Sequence, residues 1–445
     1  MITHAVRSKT PVLLAMCAGM FLVQLDVTVV NVALPTIGTE LRAGLGAQQW
    51  VVDGYSVVLA ALLLTGGTLG DVFGHRRIVH IGLTIFGAAS ALCALAGSVP
   101  WLVLARAGQG LGAALLLPGT LAVITGAYPE RRERARALGA WAGISAVALA
   151  AGPLLGGFVV AAGGWRPVFW LNVPVVVLAI LATQRFVPPH VPAARRRVDV
   201  AGALTAALAL GSGVFAVIDA NAMAAVLAVV AAVAFVVIEH RAADPMLPLN
   251  LLRSRATAGA NLVAMAMNFV GLGSILVLTL YLQRVLGADS LVAALEVFPM
   301  FLPLSALGPL SGRLAARFGP RPLMLSGLAL GALSLLNLLR IGPDSGYPAL
   351  LPTMLGLGVG MGLLTPAVVT AAVAGIPAER AGIASGVNNT ARQAAGALGV
   401  AVFGAVAGEP AHHDAFLAGL HIVGLAAAVL WVAAIAVTLV TIPVR

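Results

Sequence analysis

A chain of 445 residues with 60% hydrophobic and only 9% charged side chains, at a mean hydropathy of +1.02, is excluded from the water-soluble globular class, where about a quarter of residues are charged. Its net charge of +10 does not indicate nucleic acid, because the basic residues form short clusters between long apolar runs, the pattern of a multi-pass membrane protein. The two cysteines, Cys17 and Cys93, both lie in apolar runs and give no disulfide framework.

A helix needs about 20 apolar residues to cross the hydrocarbon core. In chain order such runs fall at 11–34, 48–69, 78–98, 101–124, 137–162, 167–187, 198–218, 222–239, 257–282, 291–312, 321–340, 348–371, 384–407 and 416–440. Arg7 and Lys9 ahead of the first run imitate a secretory leader, but that run is a full bilayer wide and contains Asp26, so it reads as a span. The seventh and eighth runs are separated only by Asp219-Ala220-Asn221 and are also readable as one re-entrant hairpin. Either reading keeps the crossings even. With the N-terminus in the cytoplasm, twenty of the 26 basic residues fall on cytoplasmic segments, Arg76, Arg77, Arg195, Arg196, Arg197, Arg253, Arg255, Arg313, Arg317 and Arg321 among them. Only Arg42, Arg166, Arg284 and Arg340 fall outside, and Arg106 and Arg392 lie within spans. That asymmetry predicts two cytoplasmic termini, and the bias to arginine, with Lys9 the one lysine, and to Ala, Gly and Val fits a GC-rich bacterial genome and so a bacterial inner membrane.

The first run contains Leu25-Asp26-Val27-Thr28-Val29-Val30-Asn31. An ionisable residue at that depth costs roughly 2.5–3.5 kcal/mol on insertion scales, which marks Asp26 as a functional candidate, with a static helix–helix contact as the alternative. Asp26 stands about 15 residues, or roughly 22 Å, above the cytoplasmic start of its span, and Arg106 lies just below the outer start of span four, so the two are expected to meet. If Asp26 exchanges protons, Asp26→Asn is expected to abolish that exchange with folding intact. Asp53 and Glu296 each lie about one and a half turns inside the outer end of a span. They are candidate partners for a cationic substrate, or carboxylates solvated at the headgroups.

The loop Gly67-Thr68-Leu69-Gly70-Asp71-Val72-Phe73-Gly74-His75-Arg76-Arg77 reads as a tight cytoplasmic turn. Arg106-Ala107-Gly108-Gln109-Gly110-Leu111-Gly112 has the glycines of a dinucleotide loop but no preceding strand, so close helix packing is the expected role. Gly152-Pro153-Leu154-Leu155-Gly156-Gly157 combines small-residue spacing with a proline kink. No histidine is near mid-membrane, and no metal-ligand cluster or nucleophilic triad is visible, so neither a cofactor nor an enzyme is expected. Polar residues are scattered rather than ringed, which argues against a channel.

These elements together resemble the major facilitator superfamily. The 67–77 loop is similar to its signature loop, 106–114 to its R-x-x-Q-G-x-G-A-A element and 152–157 to its antiporter motif. The Asp26 stretch and Trp165-Arg166-Pro167-Val168-Phe169-Trp170-Leu171-Asn172-Val173-Pro174 resemble elements of the fourteen-span drug:proton antiporters. Within that branch, Trp50-Val51-Val52-Asp53-Gly54-Tyr55 and Gly259-Ala260-Asn261-Leu262-Val263 are most similar to antibiotic exporters of the methylenomycin A resistance type. In the second half Gly312–Arg321 echoes the signature loop, with Ala316 in place of its aspartate.

The resemblance implies an all-α major facilitator fold of 14 transmembrane helices (6 + 2 + 6): a first bundle over 1–190, an inserted hairpin over 191–256 and a second bundle over 257–445. It implies no cofactor beyond the proton as coupling ion. The expected function is proton-coupled export of a hydrophobic or cationic small molecule, a drug or antibiotic, by a monomer in the lipid bilayer with no nucleic-acid partner. Export of an endogenous metabolite is the alternative within transport, and a lipid-modifying enzyme the one outside it. Asp26 and Arg106 are assigned to proton coupling. Thr28, Asn31, Asp53, Tyr55, Gln109, Asn261, Asn268 and Glu296 are assigned to the substrate cavity, Gly67, Asp71, Gly74, Arg76 and Arg77 to a gating loop, and Gly152, Pro153, Gly156 and Gly157 to the antiporter motif. Asp71 is expected to meet the start of span thirteen near Ala384-Ser385-Gly386, with Arg76 or Arg77 holding it.

Overall fold

The computed structural model describes residues 9–188, 199–247, 253–374, 376, 381–410 and 412–444. Arg7, Arg195–Arg197, Arg380 and the boundary expected at 190 lie outside them. Among the described residues the chain is all helical, and fourteen helices are long and apolar enough to cross a membrane.

In chain order these are α1 (Lys9–Glu40), α2 (Leu45–Phe73), α3 (His75–Ala94), α4 (Val99–Ala127) and α5 (Arg131–Gly163). The sixth crossing is α6 (Arg166–Trp170) with α7 (Asn172–Phe186). Then come α8 (Val200–Ile218), α9 (Ala222–Arg241), α10 (Arg255–Leu280), α11 (Ser290–Phe318), α12 (Pro320–Leu335), α13 (Leu351–Val373), α14 (Ala381–Ala407) and α15 (His413–Thr441). All fourteen expected crossings are present. The sixth is broken at Leu171, where Pro174 has no N–H to offer the carbonyl of Trp170. The seventh and eighth are two separate helices rather than a re-entrant loop. Ala220 turns the chain at φ 47°, and the Asn221 side chain accepts from the N–H of Ala224 to start α9. Asp289 caps α11 through the N–H groups of Leu291 and Val292.

The helices assort as the 6 + 2 + 6 order requires. Helices α1 to α7 pack on one another, α10 to α15 do the same, and the α8–α9 pair leans on α2 and α14. Small residues set the closest approaches. A Cβ on Gly66 would stand 2.1 Å from the carbonyl oxygen of Ala114, and one on Gly110 2.4 Å from that of Tyr55. The glycine-rich run of α4 is therefore a packing surface against α2, as expected. Gly74 and Gly319, at φ 91° and 84°, make the matching α2–α3 and α11–α12 turns. The face that carries Gly74, Arg76 and Arg77 is the basic face; the opposite one is the far face.

The two six-helix sets meet at the far face. A Cβ on Gly157 of α5 would lie 2.7 Å from both the Ser290 carbonyl and the Ala294 Cβ on α11. The Gln283 amide, in a π-helical turn at the end of α10, donates to the Val32 carbonyl (3.2 Å), and Arg284 Nη2 donates to that of Pro35 (2.7 Å). Gln49 of α2 donates to the Ala401 carbonyl of α14 (3.0 Å). Toward the basic face the matching sides of α5 and α11 stand in open space. Gly139 lies five turns from Gly157 on the same side of α5, and Gly308 five turns from Ser290 on α11. A Cβ on either glycine would meet no described residue within 4 Å. The seam is thus closed at the far face and splayed between α5 and α11 at the basic face.

Candidate functional site

Asp26 and Arg106 form a buried ion pair, as their depths require; they are 0% and 1% exposed. Helix α4 places Gln109 one turn from Arg106, and Gln109 binds both partners. It accepts from Arg106 Nη1 at 2.8 Å and donates to Asp26 Oδ1 at 3.1 Å. Asn172 at the head of α7 donates to the same carboxylate (3.2 Å), and Gln109 also donates to Ser90 Oγ on α3 (2.7 Å). Arg106 Nε donates to the Val51 carbonyl on α2 (2.9 Å), and the guanidinium lies 4.5 Å from the centre of the Tyr55 ring. Five crossings of the first set therefore converge on one pair. Sequence reasoning assigned no role to Ser90 or to Asn172, although Asn172 stood within a quoted motif.

Asp53 has the opposite environment. It is 0% exposed, and neither carboxylate oxygen has a hydrogen-bond partner among the described residues. It lies on α2 between two anchored turns. Gln49 holds α14, and Val57 packs with Val214 of α8 and Ala397 and Ala401 of α14. Asp53 is therefore enclosed where the first set, the second set and the inserted hairpin meet.

The remaining candidates fall into separate places. Thr28 faces α5, where a Cβ on Gly152 would meet its Oγ1 at 1.8 Å, and Gly156 packs on Val29. These residues and Pro153 belong to the α1–α5 contact. Asn31 donates to the Val27 carbonyl (2.7 Å), and its buried Oδ1 has no partner among the described residues. Asn261 accepts from Asn388 of α14 (3.1 Å), and Asn268 accepts from Arg392 Nε (3.2 Å). Glu296 shares its side of α11 with Met300 and Pro303, which pack on α13, so it points within the second set.

At the basic face Asp71 pairs with His75, 3.2 Å away, and Arg76 donates to the Gln184 carbonyl. Arg77 is exposed, and Gly67 rests on Pro118 of α4. The start of span thirteen is close, since Gly386 contacts Leu64 two turns from Asp71 on α2. Arg392 and Asn388 were not assigned to a site from sequence; an intramembrane arginine was the available signal.

This architecture defines a membrane transporter: two packed helical sets, a seam closed at the far face and open beside α5 and α11 at the basic face, and charged groups enclosed at mid-depth. The chain belongs to the Major Facilitator Superfamily, whose family model matches residues 16–400. It is 36% identical over 410 residues to the Multidrug resistance protein Stp of Mycobacterium tuberculosis, covering 90% of this chain and 76% of that protein. It is 35% identical over 405 residues to the Methylenomycin A resistance protein of Bacillus subtilis, covering 89% and 87%. Among solved structures, a bacterial homolog of the human lysosomal transporter Spinster, in an inward-facing and occupied conformation, superposes with a TM-score of 0.70 at 20% identity, covering 97% and 96%.

The α5–α11 contact yields a direct expectation. Replacing Gly157 by valine forces side-chain atoms into the Ser290–Ala294 surface, and overpacking of this kind costs about 1–3 kcal/mol. The far face should open, so that a cysteine at Ala294 reacts about tenfold faster with a membrane-impermeant maleimide. An unchanged labelling rate would refute the assignment of this contact to the far-face seal.

Proposed function

We propose that the chain is a proton-coupled antiporter that exports hydrophobic small molecules, antibiotics among them, across a bacterial inner membrane by alternating access, with the basic face in the cytoplasm. The observation that carries this reading is Asp53. An ionised carboxylate without a partner in a closed helix junction is costly, whereas the protonated acid is not. The α2–α14 seam can close over Asp53 at low cost only when that residue holds a proton. When the far end of the seam parts, one turn away at Gln49, water reaches Asp53 and the proton can exchange with the far side. Proton occupancy and conformation are thereby linked, which is what antiport requires.

Asp26 and Arg106 take part through the backbone, since Arg106 holds the Val51 carbonyl two residues from Asp53. The names of the relatives, which include resistance and export proteins, support export as the direction. Asp71 belongs to the moving basic face rather than to recognition. As the transporter turns outward, the loop that carries it tightens the contact that Gly386 and Leu64 already make between α14 and α2.

The test is drug accumulation in cells carrying the protein, with and without a protonophore. Efflux that persists undiminished after the proton gradient collapses would overturn proton coupling. Alternating access has its own readout. Gly139→Cys and Gly308→Cys together should cross-link with a short bis-maleimide only when the protein is driven away from the conformation described above, and the cross-link should stop efflux. No cross-link under any gradient would overturn closure between these two helices.

A further inference from the structure

Arg392 is a cation in the middle of α14 with no acidic partner among the described residues. No ion pair among the described residues includes it, and its one hydrogen bond there is donated by Nε to Asn268. The remaining N–H groups of the guanidinium, on Nη1 and Nη2, have no acceptor among the described residues, although arginine cannot shed its charge. Part of the side chain is exposed.

The faces of α10 locate this group. Met267 and Gly271 meet Thr365 and Met361 of α13. Gly259 and Ala266 meet Thr441 and Trp431 of α15, and Gly273 meets Gly399 of α14. The side between the α13 and α14 faces carries Asn261 and Asn268, both bonded to α14, and Gln283 beyond them touches the first set at Val32. Arg392 and Asn268 therefore stand on the seam side of the second set, with the Asn388–Asn261 pair one turn nearer the basic opening. The carboxylates that a cationic substrate would need are placed otherwise: Asp26 is paired, Asp53 is enclosed and Glu296 points within the second set.

We propose that Arg392 and Asn268 form the recognition point for an organic anion, a carboxylate or sulfonate on an apolar body. This inference deepens the export reading above and rests on it for direction. The chemistry fits the donor set. The free guanidinium N–H groups and the Asn268 amide supply donors without acceptors, the complement of an oxyanion, and charge-assisted bonds of this kind are stronger than neutral ones. The apolar walls of the seam take the body of the molecule.

The test uses purified full-length protein in nanodiscs with two probes that share an anilinonaphthalene body, 8-anilinonaphthalene-1-sulfonate and the uncharged N-phenyl-1-naphthylamine. Saturable binding should favour the sulfonate. Arg392→Gln should weaken the sulfonate about tenfold, the effect of losing one charged hydrogen bond, and leave the neutral probe within about twofold. Arg392→Lys should keep the preference, which shows that charge rather than shape is read and serves if the glutamine variant does not fold. Equal binding of both probes, no saturable sulfonate binding, or a preference that survives Arg392→Gln would each overturn the proposal.

The same protein in proteoliposomes separates the two claims. Proton-driven movement of the neutral probe with no sulfonate preference sinks the anion site and leaves export standing. Sulfonate binding through Arg392 without gradient-driven transport does the reverse.

Discussion

Asp53→Asn should abolish proton-driven efflux and leave the protein folded. The asparagine side chain has nearly the shape of the protonated acid, so it fits the α2–α8–α14 junction that already accepts a group without partners. It cannot ionise. The far end of the seam then closes whether or not a proton is available, and the drug can no longer be exchanged for one. Efflux should fall by at least about tenfold, since a shift of 1.4 kcal/mol in the balance of the two conformations already gives that factor. Drug binding from the basic face should stay within about twofold of the parent, because Asp53 is fully enclosed in that state. A cysteine at Gly139 should label from the basic face at all pH values in the variant, and less in the parent whenever the far face opens. Efflux by Asp53→Asn at the parental rate would remove Asp53 from coupling.

The fold was legible in the sequence because lipid leaves few options. A chain with this hydropathy must satisfy its backbone internally, so apolar runs of bilayer length become helices, and the basic loops count the crossings. The Asp26–Arg106 pair was legible for a related reason. Two opposite charges at one depth in neighbouring spans have almost no other way to be neutralised. The partners Ser90 and Asn172 were not legible, since nothing in their spacing fixes which side of α3 or α7 faces α1. Rotation about the helix axis also separated Asp53 from Glu296. They look alike in sequence, each close to the outer end of a span, yet one is sealed into a three-way junction and the other points toward α13. Arg392 was visible as a charge within a span, but its lack of a carboxylate partner emerges only once all six helices of its set are placed. The splay of α5 from α11 was beyond reach, because the same small residues serve both the closed and the open seam.

The Asp26–Arg106 pair carries the second large expectation, and the geometry changes what its variants should do. A buried ion pair broken on one side typically costs 3–5 kcal/mol, a large part of a stability of about 5–15 kcal/mol. The two sides are not equivalent. Arginine cannot lose its charge in a protein, whereas a carboxylate can take a proton. Asp26→Asn therefore strands a cation on the Val51 carbonyl, the Gln109 amide oxygen and the face of Tyr55. Arg106→Gln leaves a carboxyl group that still accepts from Gln109 and Asn172 and can become neutral. Asp26→Asn is thus expected to be the less stable variant, near the upper end of that range, and Arg106→Gln to lie below it. This differs from the sequence-based expectation of an intact fold in Asp26→Asn. The double variant should recover part of the loss, since two amides can replace the ion pair without a stranded charge. Thermal unfolding of the four proteins in one detergent gives the cycle directly. Asp26→Glu separates stability from coupling, because it keeps the charge and lengthens the arm. If it restores the fold but not the efflux, the position of the Val51 turn next to Asp53 is what the pair controls. Additive losses in the double variant, or an Asp26→Asn protein that is as stable as the parent and exports at the parental rate, would show that the pair neither holds the five crossings together nor serves the proton.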